Sequence, residues 1–357
     1  MTPRILFVPV SGAGGAGEFM RSLIIARALR ERLPEATIHF IVNAEARYAH
    51  QLEFPSTVIQ GSPTYNSAAV NAALERERPH VVVFDSSGRV AQYRQARAVG
   101  ARVVYVSSRF KTRWKGFRLR RMRYFDQHWI AQPRFLGGDL TRWERLKMAL
   151  VGHVEPVFLE TLFEAPQADR QQRLLSTLGL ERDRFAVLCI GSGGSYARVS
   201  DASATLFAAA SRIRAATGLT CIAITGSNAP QPGTPPDGVR TVTALSNGEL
   251  MDLMTAAHVA VVNGGSLLLQ TIANRVAAVA VPVAGDQSER IQKCAALGLV
   301  MPSVLDAAAI ERDVVRLVND DSRRKSLRSA METLGLRNAA TAAVDALVRL
   351  MEQRRAE

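Results

Sequence analysis

Cysteine is scarce in this chain: three in 357 residues, Cys189, Cys221 and Cys294, far apart and without a C-x-x-C pair. An odd number of isolated thiols inside apolar segments argues against a disulfide framework and reads as buried free thiols. The six histidines form neither H-x-x-x-H nor H-E-x-x-H, so no protein-ligated metal is expected. No apolar run approaches the ~20 residues of a membrane-spanning helix. The opening "MTPRILFVPV" has one arginine and too short an apolar core for a signal peptide, which makes a cytoplasmic location the expectation. Acidic residues are also few, 32 against 45 basic, and the net charge of +13 implies an anionic partner.

What is present is a repeated alternation. Short β-branched runs, "RILFVPV", "TIHFIVN", "HVVVFD" and "ARVVYVSS", alternate with helical patterns over about residues 18–32 and 68–77. The second half repeats this with "FAVLCIG", "TCIAITGS", "VRTVTAL", "VAVVN" and "AAVAVPV", separated by helical patterns near 202–216 and 248–257. Such alternation predicts parallel sheets covered by helices. Pro156 and Pro166 interrupt the chain between the halves. The predicted domains are 1–155 and 166–335, followed by a C-terminal helix over 336–357 whose Leu336, Ala340, Val344, Leu347 and Leu350 form a buried stripe. The expected architecture is α/β, with two doubly wound Rossmann-like domains facing across a cleft and ligands at the carboxyl ends of the strands.

Four strand ends carry small residues: "SGAGGAG" after Val10, "GSGGS" at 191–195, "NGGS" at 263–266 and "AGDQSE" at 284–289. Glycine lets the backbone approach a ligand closely, and a helix N-terminus supplies unpaired N–H groups to a phosphate. Tight turns in α/β proteins use glycine without any ligand as well. A dinucleotide site would need an acidic residue at the end of the second strand. That strand ends at Asn43, with Glu45 two residues on, so NAD fits poorly.

Residues 256–300, "AAHVAVVNGGSLLLQTIANRVAAVAVPVAGDQSERIQKCAALGLV", resemble the donor-binding region of GT-B glycosyltransferases. The pattern is most similar to the MurG-type family, with similarity also to UDP-glycosyltransferases and to UDP-sugar hydrolases of pseudaminic acid synthesis. The resemblance implies a GT-B fold and a nucleotide diphosphate-sugar donor, with uracil as the base, and no bound cofactor. By the same resemblance Gly264, Gly265 and Ser266 face the diphosphate, Gly193, Gly194 and Ser195 line the other side of the nucleotide, and Asp286 and Gln287 hold donor-sugar hydroxyls. Gly14 and Gly15 belong to the N-terminal loop, and the base sits near Leu245. Where the MurG-type pattern has a ribose-binding glutamate this chain has Thr271, with Gln270 beside it. Where it has a histidine after the N-terminal loop this chain has Glu18.

Transfer to a hydroxyl needs a group that takes its proton, and a carboxylate of raised pKa can do so. Glu18 is the candidate base and Asp85, at the end of "HVVVFD", the reserve. Each also has a plain structural reading, Glu18 as a first-turn complement to the helix dipole and Asp85 as a turn cap.

The segment "RFKTRWKGFRLRRMR", 109–123, holds eight basic residues and no acidic one, interleaved with aromatics. Phe110, Trp114, Phe117 and Arg121 fall at helical spacing. Basic residues around exposed rings suit an anionic bilayer, and the same chemistry can bind nucleic acid. The MurG-type resemblance favours a membrane-anchored acceptor, so Arg113, Trp114, Lys115, Phe117, Arg120 and Arg121 are expected to meet an anionic membrane surface or an anionic or lipid-linked acceptor, and no nucleic acid is expected. A UDP-sugar hydrolase or epimerase, and a non-catalytic partner subunit of the same fold, are the competing readings.

Overall fold

The β-branched runs form two parallel sheets, each in its own unit: one of residues 1–162 with 339–357, the other of 163–338. The computed structural model describes residues 2–12, 15–46, 52–191, 202–226 and 238–356. Among them no helix is long and apolar enough to cross a membrane.

The first unit runs β1 (Arg4–Pro9), α1 (Gly17–Arg32), β2 (Thr37–Asn43), β3 (Ser56–Ile59), α2 (Ser67–Glu77), β4 (Val81–Asp85), α3 (Val90–Ala98) and β5 (Arg102–Ser107). It continues through α4 (Phe110–Gly116), α5 (Leu119–Met122), β6 (Gln127–Ile130), α6 (Arg134–Gly137), α7 (Arg142–Val151) and β7 (Glu155–Phe158). Strand order is β3-β2-β1-β4-β5-β6-β7, parallel throughout. Both faces are apolar because both are covered. Ile5 and Phe7 of β1 join one core with Phe40, Val83 and Trp129, while Leu6 and Val8 join the other with Val82, Phe84 and Tyr105.

In the second unit the order of elements is α8 (Ala168–Thr177), β8 (Phe185–Cys189), α9 (Ala202–Thr217), β9 (Thr220–Ile224), β10 (Val239–Val242), α10 (Asn247–Ala256) and β11 (Val259–Asn263). Then come α11 (Ser266–Ala273), β12 (Ala278–Val281), α12 (Gln287–Ala296), β13 (Met301–Pro302), α13 (Ala307–Asn319) and α14 (Asp321–Leu334). The sheet is β10-β9-β8-β11-β12-β13, again parallel. The last helix, α15 (Ala340–Ala356), belongs to the first unit, where Ala343, Val344, Leu347 and Leu350 pack on the α1 side of the sheet. Leu336, the first residue of the expected stripe, precedes this helix and lies in the second unit.

Cys189, Cys221 and Cys294 are buried free thiols. Burial pushes their pKa up to about 11, 12 and 11 respectively, so no reactive thiolate is present near neutral pH.

Candidate functional site

Strand order reverses between β1 and β4 in the first unit and between β8 and β11 in the second. These are the places where a parallel sheet opens a crevice at its carboxyl edge. At the first of them the chain turns from Pro9 into Ser11 and Gly12, and the Gly15 N–H donates to the Gly12 carbonyl at 3.3 Å. Gly14 lies outside the described residues. A Cβ on Gly12 would stand 2.8 Å from the Asn43 side chain, so Asn43 fits against the loop where a dinucleotide site would carry its acidic residue.

Glu18 lies in the first turn of α1, half-buried, and accepts a 3.1 Å hydrogen bond from the Ser11 hydroxyl, which itself accepts from the Phe19 N–H. Its neighbour across the crevice is Asp85, only 1% exposed. Both Asp85 oxygens are taken by Arg21 of α1, with Nε at 2.8 Å and Nη2 at 2.5 Å. Burial pushes the Asp85 carboxyl up to about 6, with Arg21 pulling the other way. At neutral pH the pair is ionised and the fork closed. This corrects the reserve assignment: a buried carboxylate held bidentately by a guanidinium is a positioning group, not a base that meets an acceptor. Arg21 ends the "GEFMR" stretch that is similar to the Gly-His-Val-Met-Arg signature of the sugar hydrolases, but its role is not visible in the sequence, because only β4 brings Asp85 beside it.

The loop after Asp85 is held at every step. Ser86 takes φ 56, a left-handed conformation that costs a non-glycine residue energy and recurs at functional sites. Its N–H donates to Val106, the Ser87 hydroxyl to the Val8 carbonyl, the Tyr93 hydroxyl to the Ser87 carbonyl, and Arg121 of α5 to the Gly88 carbonyl. Gly88 has φ +86, and a Cβ there would fall 2.4 Å from the Tyr93 ring. Only glycine fits.

At the second reversal the "NGGS" turn follows β11. Asn263 bridges the two strand ends, donating to the Ile190 carbonyl at 2.8 Å and accepting from the Gly265 N–H at 3.1 Å. Gln287, at the start of α12, accepts from the Gly264 and Val283 N–H groups at 3.2 and 2.9 Å. Two expectations change. The Gly264 and Gly265 N–H groups are bound by side chains, so a phosphate would be met by Ser266, exposed at the first position of α11, and by the first-turn N–H groups behind it. Gln287 is buried, and its carbonyl oxygen clamps the turn, so that oxygen is not presented to a sugar. Gly264 is required by packing: a Cβ would lie 2.8 Å from Gln287 and 2.9 Å from Ile291.

Arg290, not anticipated from sequence, donates to the Gly264 carbonyl at 2.5 Å, and its Nη2 stands 4.0 Å from the exposed Asp286. A guanidinium thus sits against the turn that opens α11. Thr271 is 1% exposed and donates to the Leu267 carbonyl within its helix, so it faces no ribose. Gln270 is buried and accepts from Asn247 at 3.3 Å. Leu245 is half-buried and directly precedes Ser246, which caps α10 in a box with Glu249. Gly193, Gly194 and Ser195 lie outside the described residues.

The basic aromatic segment is two short helices, not one amphipathic helix. Phe117 caps α4 and is buried against His128. Arg113 is buried too: it pairs with Glu144 of α7 at 2.8 Å and donates to the carbonyls of Gly137, Gly138 and Asp139. Arg121 lies over the Tyr93 and Tyr105 rings. These three residues are structural, which corrects their assignment to a membrane or acceptor surface. Their signal in sequence, helical spacing with aromatics, is the same for a core residue as for a surface one. Trp114, Lys115 and Arg120 are exposed.

No protein-family model matches this chain, and no curated protein does. Solved structures match along its whole length. CalG4, the calicheamicin glycosyltransferase, is 16% identical with a TM-score of 0.61, covering 99% of each chain. Phytolacca americana UGT2, complexed with UDP-2-fluoro-glucose and pterostilbene, is 13% identical with a TM-score of 0.63, covering 98% of this chain and 100% of its own. A Listeria monocytogenes protein described as a UDP-N-acetylglucosamine 2-epimerase is 10% identical with a TM-score of 0.59, covering 98% and 95%. The chain has the GT-B fold of these neighbours.

Proposed function

We propose that this protein is a glycosyltransferase that moves a sugar from a nucleotide diphosphate-sugar, UDP-linked, to a hydroxyl of a lipid-linked or envelope-polysaccharide acceptor at the cytoplasmic face of a membrane. The observation that carries the reading is the end-to-end likeness to glycosyltransferases, one of them holding a UDP-sugar analogue. In this reading the second unit takes the donor. Ser266, the first-turn N–H groups of α11 and Arg290 receive the leaving diphosphate, charge stabilisation of the kind that is a large catalytic contribution. Asp286, exposed beside them, is the sugar-facing carboxylate. The first unit takes the acceptor, and Glu18 removes the hydroxyl proton as oxygen attacks the anomeric carbon, with inversion and without a metal. Arg21 and Asp85 hold α1 to β4, which keeps Glu18 in place.

The 2-epimerase among the neighbours favours a second reading, in which water or the donor's own sugar replaces the acceptor. Thermal unfolding with UDP, UDP-sugars, other nucleotide diphosphates and NAD tests the donor first, since specific binding raises the midpoint by mass action. A rise with UDP and one UDP-sugar, and none with NAD, is expected. No rise with any nucleotide leaves the non-catalytic reading, and full-rate release of free sugar without acceptor selects the hydrolase.

A further inference from the structure

Helix α7 is built the wrong way round for a surface helix of a soluble protein. Its inner face is already satisfied: Met148 and Val151 pack on the β5 side of the core, and Glu144 closes on Arg113. A helix so docked is expected to turn charged residues outward. Instead Trp143, Leu146 and Leu150, spaced on one face at i, i+3 and i+7, are exposed, Trp143 by 71% and Leu150 by 68%. Phe110 and Trp114 of α4 and Leu119 of α5 are exposed as well. Of the ten large hydrophobic side chains exposed among the described residues, these helices hold six. Arg113 ties α4 to α7, α5 packs against both, and the six belong to one assembly of helices.

The charge around them has one sign. From Arg109 to Val151 there are twelve basic and three acidic residues, so most of the chain's net charge of +13 resides in this stretch. All three acids are paired: Asp126 with Arg97 and Arg102, Asp139 with Arg134, Glu144 with Arg113. Lys111, Lys115, Arg120, Arg142 and Arg145 are exposed, and Arg118 stacks on Trp114 at 3.9 Å.

We propose that α4, α5 and α7 form a docking surface for an anionic lipid bilayer, with Trp143, Leu146, Leu150, Phe110, Trp114 and Leu119 entering the headgroup region and the surrounding lysines and arginines meeting lipid phosphates. Exposed leucines decide for a bilayer over a nucleic acid: bases stack on rings and guanidinium planes, while aliphatic side chains gain free energy by entering an apolar phase. The unopposed positive charge decides against a second copy of the same surface. Arg121 links α5 to Gly88, three residues beyond Asp85, so the surface is joined to the candidate acceptor crevice of its own unit. The inference deepens the proposed function and rests on it only for the identity of the acceptor.

The test is co-sedimentation of the full chain with vesicles of phosphatidylglycerol and phosphatidylcholine in equal parts, and with phosphatidylcholine alone. Expected is pelleting with the anionic vesicles only, lost at about 1 M salt, where the Debye length is about 3 Å. Trp143→Ser with Leu150→Ser, and separately Lys115→Glu with Arg120→Glu, lower the partition coefficient at least about tenfold while the unfolding midpoint is kept. Absence of pelleting at low salt, equal pelleting with neutral vesicles, or variants that bind like the parent overturns the proposal. So does a concentration-dependent dimer, without vesicle binding, that Trp143→Ser with Leu150→Ser abolishes. No nucleotide is added, so a failed donor-binding assay rejects the transferase reading and leaves this result standing.

Discussion

Arg21→Met exposes what the buried pair at the first strand reversal contributes. It leaves Asp85 almost fully buried and without its bidentate partner, and removing one member of such a pair costs about 3–5 kcal/mol. The cost depends on pH in a direction that can be worked out. In the parent, Asp85 titrates at about 6 against about 3.9 in the unfolded chain. A raised folded pKa means that stability is greatest below the unfolded value and is lost as pH rises through the folded one, here about 3 kcal/mol in total. The parent loss is therefore complete by about pH 7. Without Arg21, burial and the neighbouring Glu18 push the carboxyl further up, opposed only by the Ser86 hydroxyl, and each additional unit removes about 1.4 kcal/mol more at alkaline pH. The variant should be least impaired near pH 5 and most impaired near pH 8. Tryptophan fluorescence during urea unfolding is the right probe, because Trp114, Trp129 and Trp143, the three in the chain, all lie in the first unit. Arg21→Met with Asp85→Asn should recover much of the loss at pH 8 and abolish the added pH dependence. A loss below about 1 kcal/mol at pH 8, the value of a surface pair, or an equal loss at both pH values, refutes the reasoning.

Other perturbations separate scaffold from chemistry. Glu18→Gln should lower turnover on the identified acceptor by about two to four orders of magnitude with the donor-induced thermal shift unchanged; full turnover removes Glu18 from the base role. Gln287→Leu frees the Gly264 and Val283 N–H groups from their acceptor and should weaken nucleotide diphosphate binding at least tenfold, measured by calorimetry; unchanged affinity means the clamp does not shape the turn. Gly264→Ala forces a methyl into the 2.8–2.9 Å contacts with Gln287 and Ile291, an overpacking of about 1–3 kcal/mol that a lowered urea midpoint would register. Restoring the glutamate of the resembled pattern, Thr271→Glu, should destabilise the second unit without improving uridine nucleotide binding, because the site is interior; tighter binding would contradict the placement of α11.

The sheets were legible where both faces are apolar. "HVVVFD" and "VAVVN" each became a central strand, since a buried parallel strand needs nothing but a β-branched run. The strands that escaped are those that break this rule. β6 is "QHWI", with Gln127 and His128 buried, Gln127 donating to Glu155 and the His128 Nε2 paired with Ser107, and β7 carries Pro156 at the edge of the sheet, where a missing N–H is tolerated. β3 is four residues, "STVI", at the other edge. The loops at the strand reversals were legible from glycine, but what binds their amides was not. Asn263 and Gln287 reach the turn from β11 and α12, and the Gln287 pairing, 23 residues apart, leaves no periodic trace. Arg113 is the sharpest case: Lys111 and Lys115, two residues to either side of it, are exposed and basic, and its partner, Glu144, reads simply as the N3 residue of a capping box with Thr141.

The two strand reversals solve one physical problem with different residues. Under the proposed function, a turn that receives charge must not collapse onto its own N–H groups, and it must not cost ordering entropy each time a ligand arrives. In the second unit Asn263 and Gln287 occupy the glycine amides and Arg290 binds the carbonyl between them, so the turn is held while the first turn of α11 keeps N–H groups that have no partner within the helix. In the first unit Ser87, Tyr93 and Arg121 fix the loop after β4, and Asp85 draws Arg21 inward. Neutralising Asp85 in this way leaves the Glu18 carboxylate beside an ion pair of no net charge, with Ser11 as its donor. Were Arg21 absent, two carboxylates would share the crevice and repel, and one would take up a proton. An arginine at position 21 therefore lets a glutamate at position 18 stand beside the buried Asp85 without that repulsion.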